Sequence, residues 1–239
     1  MENCSKKYQS NRLNTKALIL NDMNMSKINF EKEIEKIISQ LTNYEENPIS
    51  KELGFVPPYN EAGKDIKLII IGQDPTIKNE KQRCKINATL NLDKSGAIRK
   101  YVEDICEGLK ISLTNVYATN VFKYFYTVPP AGTFEVLEKH LTPNLNLLKK
   151  ELSAFQQCPI ITLGEPVLRL LANNKAKVRE YWDYNPKTGL TNGNFKFVSA
   201  NDNKLNRIIF PFCHQPSIRK DFYKNTLNQY VHFVKETTM

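Results

Sequence analysis

The sequence predicts an α/β protein: a three-layer α/β/α sandwich with a mostly parallel central sheet of about four strands. Four short apolar runs, at residues 68–71, 116–119, 159–164 and 207–212, have the composition of strands that are covered on both faces. Segments with helical spacing of apolar residues separate these runs, and this alternation is typical of parallel strands joined by helices.

The N-terminal part of the chain carries one helix signal. Residues 1–26 are polar and aperiodic, and we expect them to form an arm of a single domain that spans residues 1–239. Ser26 is a candidate cap for a helix over residues 27–42, in which isoleucine and leucine recur on one face. Three prolines make residues 47–60 irregular.

The first strand leads into a polar turn. It closes with Gly72, and Pro75 fixes the backbone just beyond it. Four basic residues lie in the loop at residues 77–85, which fits a solvated loop or a phosphate-facing one equally well. Residues 87–92 fit a short strand or an irregular segment.

The middle of the chain predicts two helices around the second strand. The first helix spans residues 95–110, and the second strand is followed by Asn120. Residues 122–130 are rich in aromatic residues and proline, a composition that helices avoid. Thr133 is expected to cap the second helix, which Pro143 is expected to break.

The C-terminal part continues the alternation. A helix over residues 165–171 follows the third strand, and the last helix is expected over residues 219–234. A hydrophilic excursion at residues 178–194 contains the only tryptophan, Trp182.

Charge and composition restrict the partners. The formal net charge is +9, which favours an anionic partner such as nucleic acid. Neither a Walker loop nor a GxGxxG motif is present, so the sequence predicts no nucleotide cofactor. No apolar run reaches the length of a membrane span, and the apolar island at residues 17–20 is too short for a signal peptide.

The cysteines argue against a metal centre. Five cysteines are widely spaced and form no CxxC pair, a pattern that does not support a zinc site or an iron–sulfur cluster. Reduced thiols are the expectation for such a chain, and we predict a cytoplasmic protein without a cofactor or membrane partner.

Polar residues stand at the ends of three of the predicted strands. Gln73 and Asp74 follow the first strand, at the edge where open α/β sheets bind their ligands. An acid at this place either caps the next segment or acts in a site. Asn120 and His214 follow the second and fourth strands, where turn or capping roles are also common.

These strand ends resemble the motifs of the uracil-DNA glycosylase superfamily. The motifs are GQDP at residues 72–75, YATN at residues 117–120 and HQPS at residues 214–217, and they occur in the superfamily's order. The resemblance covers about residues 65–235. In the superfamily, His and Pro are adjacent in the last motif, whereas Gln215 separates them here.

The resemblance implies a monofunctional DNA glycosylase that excises uracil or a related deaminated base. Asp74 would orient the attacking water, and His214 would donate to the oxyanion that develops on the base. Asn120 would read the uracil edge with its amide, which both donates and accepts. Gln73 would contribute backbone contacts in the base pocket.

The base pocket departs from the best-known branch of the superfamily. That branch has a tyrosine after GQDP that excludes bases with a 5-methyl group. Thr76 stands there in this chain, and we expect it to be a base-binding residue that leaves the pocket more open. An aromatic residue that stacks on the base is expected near residues 87–92, which contain neither Phe nor Tyr. Phe122 is therefore our candidate for base contact, with Tyr124 as an alternative.

Four residues after His214 are candidates for DNA binding. Ser217 is expected to open the last helix, where it would bind a phosphate or serve only as a cap. The resemblance implies an apolar wedge at Ile218 that fills the gap left by a flipped base. Arg219 and Lys220 are the expected contacts to the DNA backbone.

Two other functions remain open. One is a superfamily member that binds DNA or another partner with little or no glycosylase activity. The other is a small-molecule hydrolase that uses Asp74 and His214, although the sequence contains no nucleophile motif to support it. We expect the protein to be a monomer in every case.

Overall fold

The computed structural model of the chain describes residues 28–41, 48–60, 63 and 65–238. In chain order its helices are α1 (Phe30–Leu41), α2 (Glu80–Arg83), α3 (Ala97–Leu109), α4 (Phe134–Leu152), α5 (Glu165–Leu171), α6 (Val178–Tyr181) and α7 (Asp221–Thr238). The strands are β1 (Leu68–Gly72), β2 (Val116–Asn120), β3 (Ile160–Leu163) and β4 (Ile209–Phe212).

The four strands form one parallel sheet in the order β2-β1-β3-β4. Every residue of the four strands is buried, including the polar Thr119, Asn120 and Thr162. The predicted α/β sandwich with a parallel sheet of about four strands is therefore confirmed.

Residue contacts divide the chain into two compact units. The α4 unit consists of the described residues of Met1–Pro57, Asp74–Asn87 and Phe122–Ala154, and the sheet unit of those of Pro58–Gln73, Ala88–Val121 and Phe155–Met239. The expectation of one domain over residues 1–239 stays a prediction. The predicted arm at residues 1–26 lies outside the described residues.

An aromatic cluster closes the core of the sheet unit. Trp182 is fully buried, with its indole stacked on Tyr230 at 4.6 Å and edge-on to Phe212 at 5.5 Å. The indole N–H donates to the carbonyl of Pro211 in β4 at 2.7 Å. Trp182, which the sequence places in a hydrophilic excursion, is thus a core residue because its one polar atom has a buried acceptor.

Aromatic residues also fill the core of the α4 unit. Phe122, Tyr124, Phe125 and Tyr126 are all buried, with at most 1% of each exposed. The chain does not form a helix here until a 3-10 turn at Pro130–Gly132, in agreement with the composition. The predicted break at Pro143 is wrong: α4 continues through the proline to Leu152. A proline removes only one helical N–H, and buried residues on both sides of it hold α4 in place.

Three helix starts differ from the prediction, and one of them is that of α3, which begins at Ala97 instead of residue 95. Residues 28 and 29 are not helical, and α1 begins at Phe30 because the Asn29 side chain accepts the N–H of Lys32 at 3.2 Å. The proposed cap Ser26 lies outside the described residues. The last helix begins at Asp221 instead of residue 219, because Gln215–Arg219 form a separate 3-10 helix.

Two segments whose structure the sequence left open contain short helices. Thr89–Asn91 form a 3-10 helix, so the segment at residues 87–92 is not a strand. In the basic loop, Arg83 is 4% exposed at the end of α2, whereas Lys78, Lys81 and Lys85 are exposed. Arg83 therefore cannot face a phosphate in this structure.

Three further findings concern membrane spans, thiols and metal ligands. Within the described residues, no helix is long and apolar enough to cross a membrane. Cys106, Cys158 and Cys213 are free thiols, whereas Cys84 is disulfide-bonded, which contradicts the expectation of reduced thiols at that position. Among the described residues, no group of three His, Cys, Asp or Glu residues could hold a metal ion.

The α4 unit also contains a buried ion pair. The ammonium of Lys123 lies 2.6 Å from a carboxylate oxygen of Glu151, and each side chain is 1% exposed. Two ions removed from water stabilise a fold only while each compensates the other, so the loss of one partner is costly.

We expect Lys123→Met to lower the free energy of unfolding by about 3–5 kcal/mol, because Glu151 would remain buried without its cation. The double variant Lys123→Met/Glu151→Leu should recover part of this loss. Urea denaturation measures both values. The control is Lys150→Met, since the Lys150–Glu33 pair is largely solvent-accessible and is worth less than about 1 kcal/mol. Equal losses at Lys123 and Lys150 would contradict the expectation.

Candidate functional site

In the sheet unit, three of the predicted site residues follow the carboxyl ends of strands. Gln73 follows β1, Asn120 is the last residue of β2, and His214 comes two residues after β4. Because the strands are parallel, their carboxyl ends lie at one edge of the sheet. The two outer strands carry Asn120 and His214, and β1 and β3 lie between them.

The register between β1 and β2 positions Asn120. Gly72 pairs with Asn120, so both residues face the same side of the sheet. A Cβ atom at Gly72 would overlap the Oδ1 atom of Asn120 and would lie 3.0 Å from Cδ2 of Leu90. The absence of a side chain at Gly72 therefore provides the space in which the Asn120 amide lies.

Leu90 is a neighbour that sequence reasoning missed. It lies in the segment where a stacking aromatic residue was expected, and it is half-buried beside Gly72. Its backbone is left-handed, with φ of 58°. A left-handed conformation is costly for leucine, and such strain concentrates at functional sites.

The segment that carries His214 is held at two backbone carbonyls. The Tyr101 hydroxyl donates to the carbonyl of Cys213 at 3.2 Å, and Trp182 donates to that of Pro211. Gly164, which follows β3 with φ of +94°, approaches closely: a Cβ atom there would lie 3.3 Å from Cβ of His214. The backbone at His214 is thus fixed by the hydrogen bonds to the carbonyls of Pro211 and Cys213, which precede it, and by the close approach of Gly164.

The His214 side chain is an available donor. The residue as a whole is exposed, although its partly buried surroundings lower the pKa of the imidazole from its ordinary value. The ring is therefore mostly neutral at neutral pH and can donate one N–H.

The residues after His214 form a 3-10 helix, not the start of α7. Ser217 and Ile218 are half-buried within it, and the N–H of Ser217 donates to the carbonyl of His214 at 2.8 Å. The prediction that Ser217 opens the last helix is wrong, because α7 begins four residues later. Arg219 and Lys220 are exposed, as contacts to a DNA backbone require.

In the α4 unit, Asp74 belongs to a chain of hydrogen bonds. Its carboxylate oxygen Oδ1 accepts the backbone N–H of Thr76 at 2.8 Å. The hydroxyl oxygen of Thr76 accepts the backbone N–H of Tyr126, also at 2.8 Å. The half-buried Asp74 is thereby tied to the aromatic run that fills the core of this unit.

Behind Asp74 lies a buried polar network. The Tyr126 hydroxyl and Nδ1 of His140 are 2.9 Å apart, and Asn144 donates to the Tyr124 hydroxyl at 3.0 Å. Burial raises the pKa of both tyrosines, and the negative charge of Asp74 raises it further. Both phenols therefore remain protonated and can donate hydrogen bonds.

Phe122 does not offer a face to a ligand in this structure. The residue is 0% exposed, and its ring packs against Tyr124 and Tyr126 at 6.2 and 6.0 Å. Tyr124 is equally buried, so the alternative candidate has no exposed face either.

The six predicted residues of catalysis and base binding fall into both units. The sheet unit contains Gln73, Asn120 and His214, and the α4 unit contains Asp74, Thr76 and Phe122. The division between the units passes through the GQDP motif, after Gln73.

Sequence reasoning missed the polar residues behind Asp74. His140 and Asn144 are four residues apart on α4 and both are buried, so they lie on one face of the helix. Two polar residues at this spacing within an apolar stripe were the signal in the sequence that could have indicated a buried polar network. Arg83 gave no signal of burial, because its neighbours in the chain are polar.

No protein-family model matches the chain, and a search of the curated proteins finds no similar protein. A functional assignment therefore depends on the motifs and on the geometry described above.

We expect Gly72→Ala to displace the Asn120 amide and to destabilise the protein by about 1–3 kcal/mol, because the added methyl group overlaps Oδ1. NMR of the Asn120 side-chain amide and urea denaturation measure the two effects. Gly96→Ala is the matched control, since a Cβ atom at Gly96 meets nothing within 4 Å. An unchanged Asn120 resonance in Gly72→Ala would refute this account of the amide's position.

His140 makes stability depend on pH. Burial lowers its pKa to about 4, whereas an unfolded chain has the ordinary value of about 6.5. The unfolded state therefore binds more protons between these values, and stability falls as the pH drops from about 6.5 towards 4. We expect the parent to have a higher free energy of unfolding than His140→Gln, and this difference should shrink as the pH falls from about 6.5 towards 4. Urea denaturation at several pH values measures it. A difference that does not vary with pH would contradict the assignment.

Proposed function

We propose that the protein is a monofunctional DNA glycosylase that hydrolyses the N-glycosidic bond of uracil or a related deaminated base, as in base excision repair. The observation that supports the proposal most directly is the carboxyl edge of the sheet. There the Asn120 amide lies in the space left by Gly72, and His214 follows the outer strand β4. The GQDP, YATN and HQPS motifs supply the expected residue types at these strand ends.

The reaction requires two kinds of electrostatic assistance. When the bond between the sugar C1′ and the base nitrogen breaks, positive charge develops on the sugar and negative charge on the base. Water then adds to C1′ and loses a proton. In the proposal Asp74 orients this water, accepts its proton and stabilises the charged sugar. Its hydrogen bond from Thr76 fixes one carboxylate oxygen.

Base recognition and leaving-group stabilisation fall to the sheet unit. Asn120 reads the edge of the base with its amide, and Gln73 adds backbone contacts. A largely neutral His214 donates its N–H to the oxygen that gains charge on the departing base. The base must first leave the stack, because a stacked base is not accessible.

The base pocket in this proposal has an aliphatic wall. Phe122 has no exposed face, whereas Leu90 lies beside Gly72 and Asn120 with part of its side chain exposed. We assign to Leu90 the apolar contact with the base. An aliphatic contact provides less stacking energy than an aromatic ring, which contributes about 1–3 kcal/mol per base.

The net charge of +9 supports a DNA partner. The exposed Arg219 and Lys220 are the proposed phosphate contacts, with Ile218 as the wedge. The proposed enzyme acts as a cytoplasmic monomer and needs neither a metal nor a nucleotide cofactor.

One observation favours a second function, DNA binding with little or no base release. The aromatic candidates Phe122 and Tyr124 are both buried, so neither can stack on a flipped base in this structure. Weaker base binding would reduce catalysis while leaving phosphate contacts intact.

Asp74→Asn separates the two functions. We expect at least about a hundredfold loss of base release, since a positioned base contributes 10²–10⁴ in rate, with DNA affinity within about threefold of the parent. The measurement uses single- and double-stranded oligonucleotides that carry uracil, hypoxanthine, xanthine or a thymine mismatch.

The control is Asp93→Asn, which makes the same chemical change at an exposed aspartate. Base release that survives in Asp74→Asn would overturn the role of this carboxylate. A parent that releases no base and still binds DNA in a salt-sensitive manner would establish the second function instead.

A further inference from the structure

Thr76 makes hydrogen bonds in two directions. Its backbone N–H donates to Oδ1 of Asp74, and its hydroxyl oxygen accepts the backbone N–H of Tyr126, each at 2.8 Å. Thr76 thus connects the Asp74 carboxylate, which is proposed to act on water, to the backbone of Tyr126. Tyr126 lies fifty residues further along the chain than Thr76.

Tyr126 is a rigid anchor for this connection. Its ring is fully buried and lies nearly parallel to the ring of His140, with the centroids 5.7 Å apart. Its hydroxyl is hydrogen-bonded to Nδ1 of the same histidine. A side chain held by packing and by a hydrogen bond loses little further freedom when its backbone N–H binds Thr76.

Arg83 fastens the same two segments a second time. Its Nε donates to the carbonyl of Ile77 at 2.8 Å, and its Nη1 donates to the carbonyl of Thr127 at 2.8 Å. The guanidinium is buried, so these charge-assisted bonds are shielded from water. Residues 76–77 are therefore held against residues 126–127 by two independent sets of hydrogen bonds.

The position of the hydroxyl is specific to a β-hydroxy residue. A tyrosine at residue 76 would carry its hydroxyl several ångströms from the backbone. It would have no oxygen on Cβ to accept the N–H of Tyr126. Serine retains an oxygen on Cβ, whereas valine keeps the shape of threonine and loses the acceptor.

From these contacts we infer that Thr76 is a positioning residue: its hydroxyl transmits the rigidity of Tyr126 and His140 to the carboxylate of Asp74. This inference rests on the proposed function. It adds a positioning role to the expectation that Thr76 leaves the base pocket more open.

The test compares Thr76→Val with Thr76→Ser. In Thr76→Val the N–H of Tyr126 loses its acceptor, and the loop that carries Asp74 keeps only the attachment through Arg83. We expect kcat for base release to fall about 10- to 100-fold, because small displacements of a catalytic group have effects of this size. KM and DNA affinity should remain within about twofold of the parent. Thr76→Ser should keep kcat within about threefold.

Two kinetic outcomes would overturn the inference. Unchanged kcat in Thr76→Val would mean that the hydroxyl does not position Asp74. An equal loss in both variants would mean that the loss of kcat does not follow the loss of the hydroxyl, because Thr76→Ser keeps that hydroxyl. Thermal unfolding of each variant identifies a temperature at which all three proteins are folded, and kcat is compared there.

A second measurement separates this inference from the proposed function. Amide hydrogen exchange at Tyr126 reports the hydrogen bond to Thr76 whether or not the protein releases a base. We expect at least tenfold faster exchange in Thr76→Val and parent-like exchange in Thr76→Ser. A parent without base release refutes the proposed function, whereas equal exchange in the two variants refutes the connection itself.

Discussion

The arrangement at the edge of the sheet depends on a single steric constraint, the absence of a side chain at Gly72. The parallel register pairs this glycine with Asn120, and the Asn120 amide occupies the space that a Cβ atom would fill. Leu90 closes the same space with a strained, left-handed backbone. A polar group in a core is costly unless its surroundings are built for it. Here the strand register, the glycine and the loop together define the space in which this one amide lies.

A different principle orders the α4 unit. Its Asp74 is held by a hydrogen bond from the backbone of Thr76, whose hydroxyl in turn accepts the backbone N–H of Tyr126. The tyrosine is held in turn by a buried histidine that stays neutral because burial lowers its pKa. Neutral donors and acceptors can fix a carboxylate without neutralising it, and a carboxylate that must bind water and accept a proton has to keep its charge. The polar network of this unit is thus compatible with the chemistry proposed for Asp74.

The strands were predictable from sequence because each is buried on both faces, so its composition alone identifies it. Features that depend on contacts with distant parts of the chain could not be predicted from sequence. Trp182 reaches the core by donating to a carbonyl of β4, and Arg83 is buried because three carbonyls accept its N–H groups. The motif residue Asp74 could be identified locally, whereas its partner Tyr126 could not. Ser217 was misplaced because 3-10 turns are frequent next to α-helix starts, and the sequence does not separate Gln215–Arg219 from the helix that begins at Asp221.

The central claim, that the carboxyl edge of the sheet receives a flipped base, is tested most directly by a crystal structure. The protein to use is Asp74→Asn bound to an oligonucleotide that carries uracil, since this variant should bind DNA without releasing the base. The proposed function predicts an extrahelical uracil whose edge is hydrogen-bonded to the Asn120 amide, with the base oxygen O2 within hydrogen-bond distance of the His214 ring. DNA bound with every base stacked, or an extrahelical base away from Asn120, would contradict it.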